Sequence, residues 1–212
     1  MDFKKILETY PGIEKIIESK FSEFKKILLD SNERIFSELA FCLLTPQSKA
    51  RVCWEKIERL AETKLLFCGG VQEIYGELKG IRFRKRKAEY IVEARNFFSE
   101  NGKLKIKEKL REFNDIFELR DWLVKSVKGF GYKEASHFLR NIGLGANFAI
   151  LDRHVLRMLK KIGLIKSIPV HLSRKTYLEI EEKMRVFSKK IKIPLSHLDF
   201  VFWYLETKDI FK

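Results

Sequence analysis

Arg120-Asp121-Trp122-Leu123-Val124-Lys125-Ser126-Val127, Lys128-Gly129-Phe130-Gly131-Tyr132 and Lys133-Glu134-Ala135-Ser136-His137-Phe138-Leu139-Arg140-Asn141 form one continuous stretch, and its reading decides the fold. Two helix-forming runs flank a Gly-Phe-Gly centre. Two glycines around one apolar residue permit positive φ and close approach of the backbone to something outside the chain. The N–H groups that open the second helix then face outward, as in a phosphate site. The stretch predicts two helices joined by a tight hairpin over about 119–141. After the Gly143/Gly145 turn, Leu151-Asp152-Arg153-His154-Val155-Leu156 predicts a third helix with Asp152 as its N-cap.

Lys133 falls in the first turn of the second helix, where a lysine is electrostatically misplaced. The partial positive charge of a helix N-terminus favours anions and disfavours an ammonium, so it favours a free, nucleophilic amine. The bland alternative is a lysine that touches phosphate and an aspartate that only caps a helix.

Gly129-Phe130-Gly131-Tyr132-Lys133 followed by Leu151-Asp152-Arg153-His154 resembles the helix–hairpin–helix DNA glycosylase superfamily in its lysine-plus-aspartate form. The run from Lys133 to Asn141 and the short chain are similar to the type 2 8-oxoguanine DNA glycosylase/AP lyases of archaea and some bacteria. The likeness covers nearly the whole chain, and the lysine–aspartate spacing is its most specific part. It implies an all-α fold, with two helical lobes flanking a DNA-binding cleft in one catalytic unit over residues 1–212.

The resemblance also implies roles. Lys133 would be the nucleophile that attacks the sugar C1′ and leaves a Schiff base. β-Elimination would then cut the strand 3′ to the lesion. Asp152 would stabilise the positive charge that develops on the sugar. A target base must leave the duplex, and something must fill the gap. Phe83 is the wedge candidate, Arg84 the partner of the widowed cytosine, and Gln47 a residue that enters the stack. Gly129, Phe130, Gly131 and His154 complete the expected DNA contacts. Lys212, His137 and Trp203 are the expected specificity residues. 8-Oxoguanine carries an N7–H donor where guanine has a lone pair, so a terminal carboxylate on Lys212 would accept it. His137, one helical turn after Lys133, would border the base pocket.

Composition agrees with such a partner. The 212 residues include 43 Lys+Arg against 29 Asp+Glu, a net charge of +14 that fits a polyanion. In Arg82-Phe83-Arg84-Lys85-Arg86-Lys87, five of six residues are basic. A solvated basic run with Phe83 packed inward is the plainer reading of it. Cys42, Cys53 and Cys68 are scattered, which suggests reduced thiols and no iron–sulfur or zinc site. No metal and no cofactor is expected. No signal peptide or membrane span is visible, so the expectation is a monomeric protein in the prokaryotic cytosol, with damaged double-stranded DNA as partner. Two alternatives stay open: a related glycosylase for another damaged base, and a non-catalytic helix–hairpin–helix DNA-binding module.

Elsewhere the helical period dominates. Ile13, Ile16, Ile17, Phe21, Phe24 and Leu28 predict one helix. Ser31-Asn32-Glu33 caps a second, Ile35 to Leu44, so apolar on every side that it should be the buried centre. Thr45-Pro46 reads as the cap and first residue of a third. Asn101-Gly102 is a turn, with no partner visible for a strand over Lys103 to Lys109. Ser173 caps another helix, and Pro194 precedes the last.

Overall fold

The computed structural model describes residues 3–212, and its regular structure is helical apart from one short two-stranded ladder. In chain order the helices are α1 (Lys4–Ile27), α2 (Asn32–Leu44), α3 (Ala50–Glu62), α4 (Leu65–Cys68), α5 (Val71–Glu77), α6 (Arg84–Phe97), α7 (Ile106–Leu110), α8 (Ile116–Ser126), α9 (Tyr132–Asn141), α10 (Arg153–Lys161), α11 (Arg174–Ile191) and α12 (Leu195–Thr207).

Helix α2 is the centre, as its composition predicts: every residue from Ile35 to Leu44 is buried. Ser31 caps it by accepting from the Arg34 N–H at 3.1 Å. Helices α3, α6, α7 and α9 pack on it, while α1, α10 and α11 pack on α12. Helix α9 touches α1, α2 and α8, so the helix that carries Lys133 lies where these two groups meet. Asp115 caps α8, Asp152 caps α10 and Ser173 caps α11, each through a side-chain oxygen.

Four local expectations need correction. Helix α1 starts at Lys4, well ahead of Ile13 where the predicted apolar period begins, and runs through Pro11. Burial of Ile6, Tyr10, Ile13 and Ile17 along one stripe outweighs the roughly 3 kcal/mol that an interior proline costs. Thr45 does not start a helix. It ends α2, its hydroxyl donating back to the Cys42 carbonyl at 3.0 Å, and α3 begins only at Ala50. Ser99–Glu100 and Lys103–Leu104 form a two-residue antiparallel ladder around Asn101-Gly102, so the partner strand lay just across the turn.

The fourth correction concerns the hairpin glycines. Gly129 has φ +92°, and a Cβ there would lie 2.4 Å from a ring atom of Tyr90. Its close approach is therefore to the protein's own α6. Gly131 is extended, at φ −107° and ψ −174°, a conformation open to any residue. Its N–H is taken by the Glu134 carboxylate at 3.1 Å, so one of the donors expected to face outward is already occupied. Phe130 at the apex is buried and packs near Phe138, with ring centroids 6.2 Å apart.

No helix among the described residues is long and apolar enough to cross a membrane.

Candidate active site

A cavity of about 650 Å³ opens where α9, α12, the loop after α2 and the start of α10 meet. That volume lies in the ordinary range of small-molecule sites. Lys133, His137, Asp152, His154, Trp203, Lys212 and Gln47 all contribute to its wall. Seven candidates spread across the sequence thus converge on one space. Phe83, Arg84 and the hairpin residues 129–131 are not part of the wall.

Lys133 comes from the first turn of α9. Its Nζ donates to the Thr45 hydroxyl at 3.1 Å and lies 3.8 Å from Glu134. Thr45 is 88 residues away in sequence and has no motif to mark it. Asp152 caps α10 by accepting the Val155 N–H at 2.8 Å on one oxygen, which leaves the other without a donor from the described residues. Capping and chemistry are therefore compatible in this residue. A buried lattice holds the loop that leads to it. Arg120 and Glu181 form a two-pronged ion pair at 2.7 and 2.9 Å, and Glu181 accepts the Ala149 N–H at 2.9 Å. The Tyr177 hydroxyl donates to the Ala149 carbonyl at 2.6 Å.

His137 is buried beside the cavity, and neither ring nitrogen makes a hydrogen bond of normal geometry. Burial holds its imidazole well below the ordinary histidine range, and the cations of Lys133, Arg140 and Lys212 push the same way. The main chain of Lys212 is the one nearby group that favours the protonated form, and it loses. The ring is neutral and borders the cavity, with the Lys212 main chain close to it. The Trp203 Nε1 is likewise buried without a partner. His154 stacks edge-on against Trp203, centroids 4.8 Å apart, and hydrogen-bonds Glu206.

Lys212 is held at the cavity by its own side chain. Its ammonium lies 2.5 Å from Glu38 and 3.1 Å from the centre of the Trp54 ring. Glu38 is fully buried on α2 and also receives Arg34 at 3.0 Å and Asn141 at 3.1 Å. Burial draws the Lys212 amine down to about 8. A second carboxylate unforeseen from sequence, Asp199 on α12, also borders the cavity and is paired with Arg140. Burial pushes its carboxyl up to about 6, Arg140 opposes this, and the nearby charge of Asp152 adds to the rise.

Two candidates stand at exposed tips. Phe83 is 58% exposed with φ +56°, so it does not pack inward, and Gln47 is exposed with φ +55°. Arg84 is folded onto Tyr75, donating to its hydroxyl at 2.9 Å and stacking 4.3 Å from its ring centre. Of the basic run, Lys87 is buried, so the run is not a wholly solvated face. Cys42 and Cys53 are buried thiols and Cys68 is exposed. Among the described residues, no group of three or more His, Cys, Asp or Glu side chains is placed to hold a metal ion.

This geometry can be set beside known proteins. The model of the 8-oxoguanine DNA glycosylase family matches residues 17–193. The chain is 42% identical to an 8-oxoguanine DNA glycosylase/AP lyase of Fusobacterium nucleatum, over 99% of this chain and 97% of that protein. It is 40% identical to one from Methanocaldococcus jannaschii, over 94% and 93%. The crystal structure of the Methanocaldococcus jannaschii 8-oxoguanine glycosylase/lyase with a 15mer DNA containing 8-oxoguanine superimposes with a TM-score of 0.90 at 39% identity, covering 99% of both chains. The 8-oxoguanine DNA glycosylase of Thermotoga maritima gives 0.88 at 34% identity, covering 99% of this chain and 98% of that one.

Proposed function

The chain belongs to the 8-oxoguanine DNA glycosylase family, and from that premise we propose that it excises 8-oxoguanine from duplex DNA with Lys133 and then cuts the strand as an AP lyase. The observation that carries the assignment of the nucleophile is the placement of the Lys133 amine: it enters the 650 Å³ cavity from the first turn of α9, with Asp152 on the same wall. Two amines near it, those of Lys87 and Lys212, have depressed proton affinity, but both are committed. Lys87 gives its donors to three protein oxygens and is not part of the cavity wall. Lys212 is bound to Glu38.

The chemistry follows from an amine beside a carboxylate. Lys133 Nζ uses its lone pair to attack C1′ as the C1′–N9 bond breaks, and the base leaves with that bonding pair. Positive charge grows on the sugar in the transition state, and the Asp152 carboxylate stabilises it. The amine loses a proton, the sugar ring opens, and an iminium joins Nζ to C1′. The iminium acidifies C2′–H. Loss of that proton breaks the C3′–O bond and releases the 3′ phosphate as leaving group. One lysine thus serves both steps.

In this reading the extruded base lies against His137 and Trp203, and main-chain oxygen on Lys212 accepts the N7–H of 8-oxoguanine. Phe83 and Gln47 fill the gap in the duplex. Arg84 swings off Tyr75 to reach the widowed cytosine. The backbone of residues 129–131 and His154 meet phosphate. The protein acts as a monomer on chromosomal DNA in the cytosol.

The test is single-turnover excision on duplexes carrying 8-oxoguanine, guanine or an oxidised pyrimidine, with borohydride added to trap the imine. Excision of 8-oxoguanine with a trapped complex is expected, and Lys133→Gln should abolish trapping while duplex binding survives. Trapping that persists in Lys133→Gln moves the nucleophile to another lysine, and preference for the pyrimidine moves the substrate.

A further inference from the structure

Lys87 is a buried cation that the chemistry above does not use. It sits in the first turn of α6, and its Nζ donates to the Leu44 carbonyl at 2.7 Å, the Pro46 carbonyl at 2.7 Å and the Ser48 hydroxyl at 3.1 Å. Burial lowers the amine to about 8, with Lys133 among the cations that add to the fall. A chain does not gain from burying a charge merely to join two helices, since an apolar contact does that at lower cost. What Lys87 holds is therefore informative.

It holds the loop between α2 and α3. Ser48 in that loop is also the acceptor for the backbone N–H of Arg82, at 3.2 Å. One hydroxyl thus receives a donor from the buried lysine and a donor from the second loop, the one that ends in Phe83. The exposed tips of the two loops are Gln47 and Phe83, and both have a left-handed backbone, at φ 55° and 56°. For a residue with a Cβ this conformation costs about 1–2 kcal/mol. Such strain persists only where the surroundings over-determine it. Next to Gln47, the Ser48 N–H closes a turn onto the Thr45 carbonyl at 3.0 Å and the Lys87 ammonium holds the Pro46 carbonyl; next to Phe83, the Arg82 N–H is held by Ser48, and the Phe83 carbonyl accepts the Lys87 backbone N–H at 3.0 Å. The same loop begins with Thr45, whose hydroxyl accepts from the nucleophile candidate Lys133 at 3.1 Å. A short chain of contacts therefore runs from Phe83 through Arg82, Ser48 and Lys87 to the turn on which Lys133 rests.

We propose that Lys87, acting through Ser48, is a positioning residue that locks Gln47 and Phe83 into one two-pronged wedge in register with Lys133, so that base extrusion from intact duplex depends on it far more than chemistry on a sugar already accessible. This rests on the glycosylase reading above. Two prongs held by one hydroxyl enter the duplex at a set spacing. Freed from it, each loop relaxes its left-handed tip, and the energy of unstacking and unpairing is no longer met by a rigid insert.

The experiment compares wild type, Lys87→Met and Ser48→Ala on three duplexes: 8-oxoguanine paired with cytosine, 8-oxoguanine opposite an abasic gap, and a pre-formed abasic site. On the paired lesion, single-turnover excision should fall tenfold or more in both variants. Borohydride trapping on the abasic duplex should fall less than about threefold, and excision of the unpaired lesion should recover most of the loss. An equal fall on all three duplexes, or no fall on the paired lesion, overturns the wedge lock. Where Lys87→Met fails to fold, Ser48→Ala decides alone, since it removes one acceptor and leaves the ammonium its two carbonyls. Wild-type protein that leaves 8-oxoguanine in place overturns the glycosylase reading itself, which the equal-fall outcome does not touch.

Discussion

Asp199 shows how a single residue records its surroundings. It borders the cavity beside Asp152 and pairs with Arg140, yet its carboxyl stands near 6 because burial and the neighbouring aspartate outweigh the guanidinium. In the unfolded chain the same group titrates near 3.8. Between these values the folded protein holds a proton that the unfolded chain has released, so stability falls as pH rises through that window. Measured against Asp199→Asn, wild type should lose about 2 kcal/mol from pH 4 to pH 6 and stay level above pH 7. Urea unfolding of both proteins across that range checks it. Parallel curves would mean that Arg140 keeps Asp199 ionised throughout.

At the scale of elements, α2 does more than fill the core. Its Glu38 gathers Arg34 from its own helix, Asn141 from α9 and Lys212 from the last segment. Those last residues have no helix to keep them in place, since α12 ends at Thr207. Besides the Glu38 pair, Arg51 holds Asp209 and lies 4.7 Å from the Phe211 ring centre. Lys212→Met should cost roughly 3 kcal/mol, because it leaves the Glu38 carboxylate buried with one cation fewer. Adding Glu38→Gln should return part of that loss, a coupling that a double-mutant cycle of unfolding energies reads directly. On the proposed function, the single variant should also lose discrimination between 8-oxoguanine and guanine by about tenfold, the worth of one displaced hydrogen bond in a dry site. Trapping on a pre-formed abasic site should persist in it. Full discrimination in a destabilised Lys212→Met would assign the residue to stability alone.

For the molecule as a whole, the net charge of +14 sets the expected mode of association. On the proposed function, the basic residues around Phe83 and the hairpin are the ones that meet DNA phosphates. If about 4–6 phosphates are neutralised, the logarithm of the binding constant should fall with the logarithm of salt with a slope of roughly −4 to −5. Titration of a labelled duplex at several salt concentrations gives that slope, and a value near zero would remove the polyanion as main partner.

What the sequence determined by itself is local. The buried α2, the Ser31, Asp152 and Ser173 caps, and the two helices around residues 127–131 follow from helical period, capping oxygens and glycine placement. Each acts over a few residues, so each is legible along the chain. The resemblance carried by Lys133 and Asp152 added the expectation that the two act together, and both line one cavity. Local signals also misled where a longer-range force competed. Pro11 lies inside α1 because a buried stripe outweighs it, and Thr45 turned its hydroxyl back to α2 instead of opening α3. Only the tertiary structure decided which distant residues share a space. Thr45 meets Lys133 across 88 positions, Asp199 meets Arg140 across 59, and Glu38 meets Lys212 across 174. Lys87 belongs with them: in sequence it is one of five basic residues in a run, and in the fold it is the one that is buried. The reason is physical. Periodicity and caps are set by bonds within one helix, whereas a buried charge finds its partner only when separate helices dock, and no short-range rule encodes that docking.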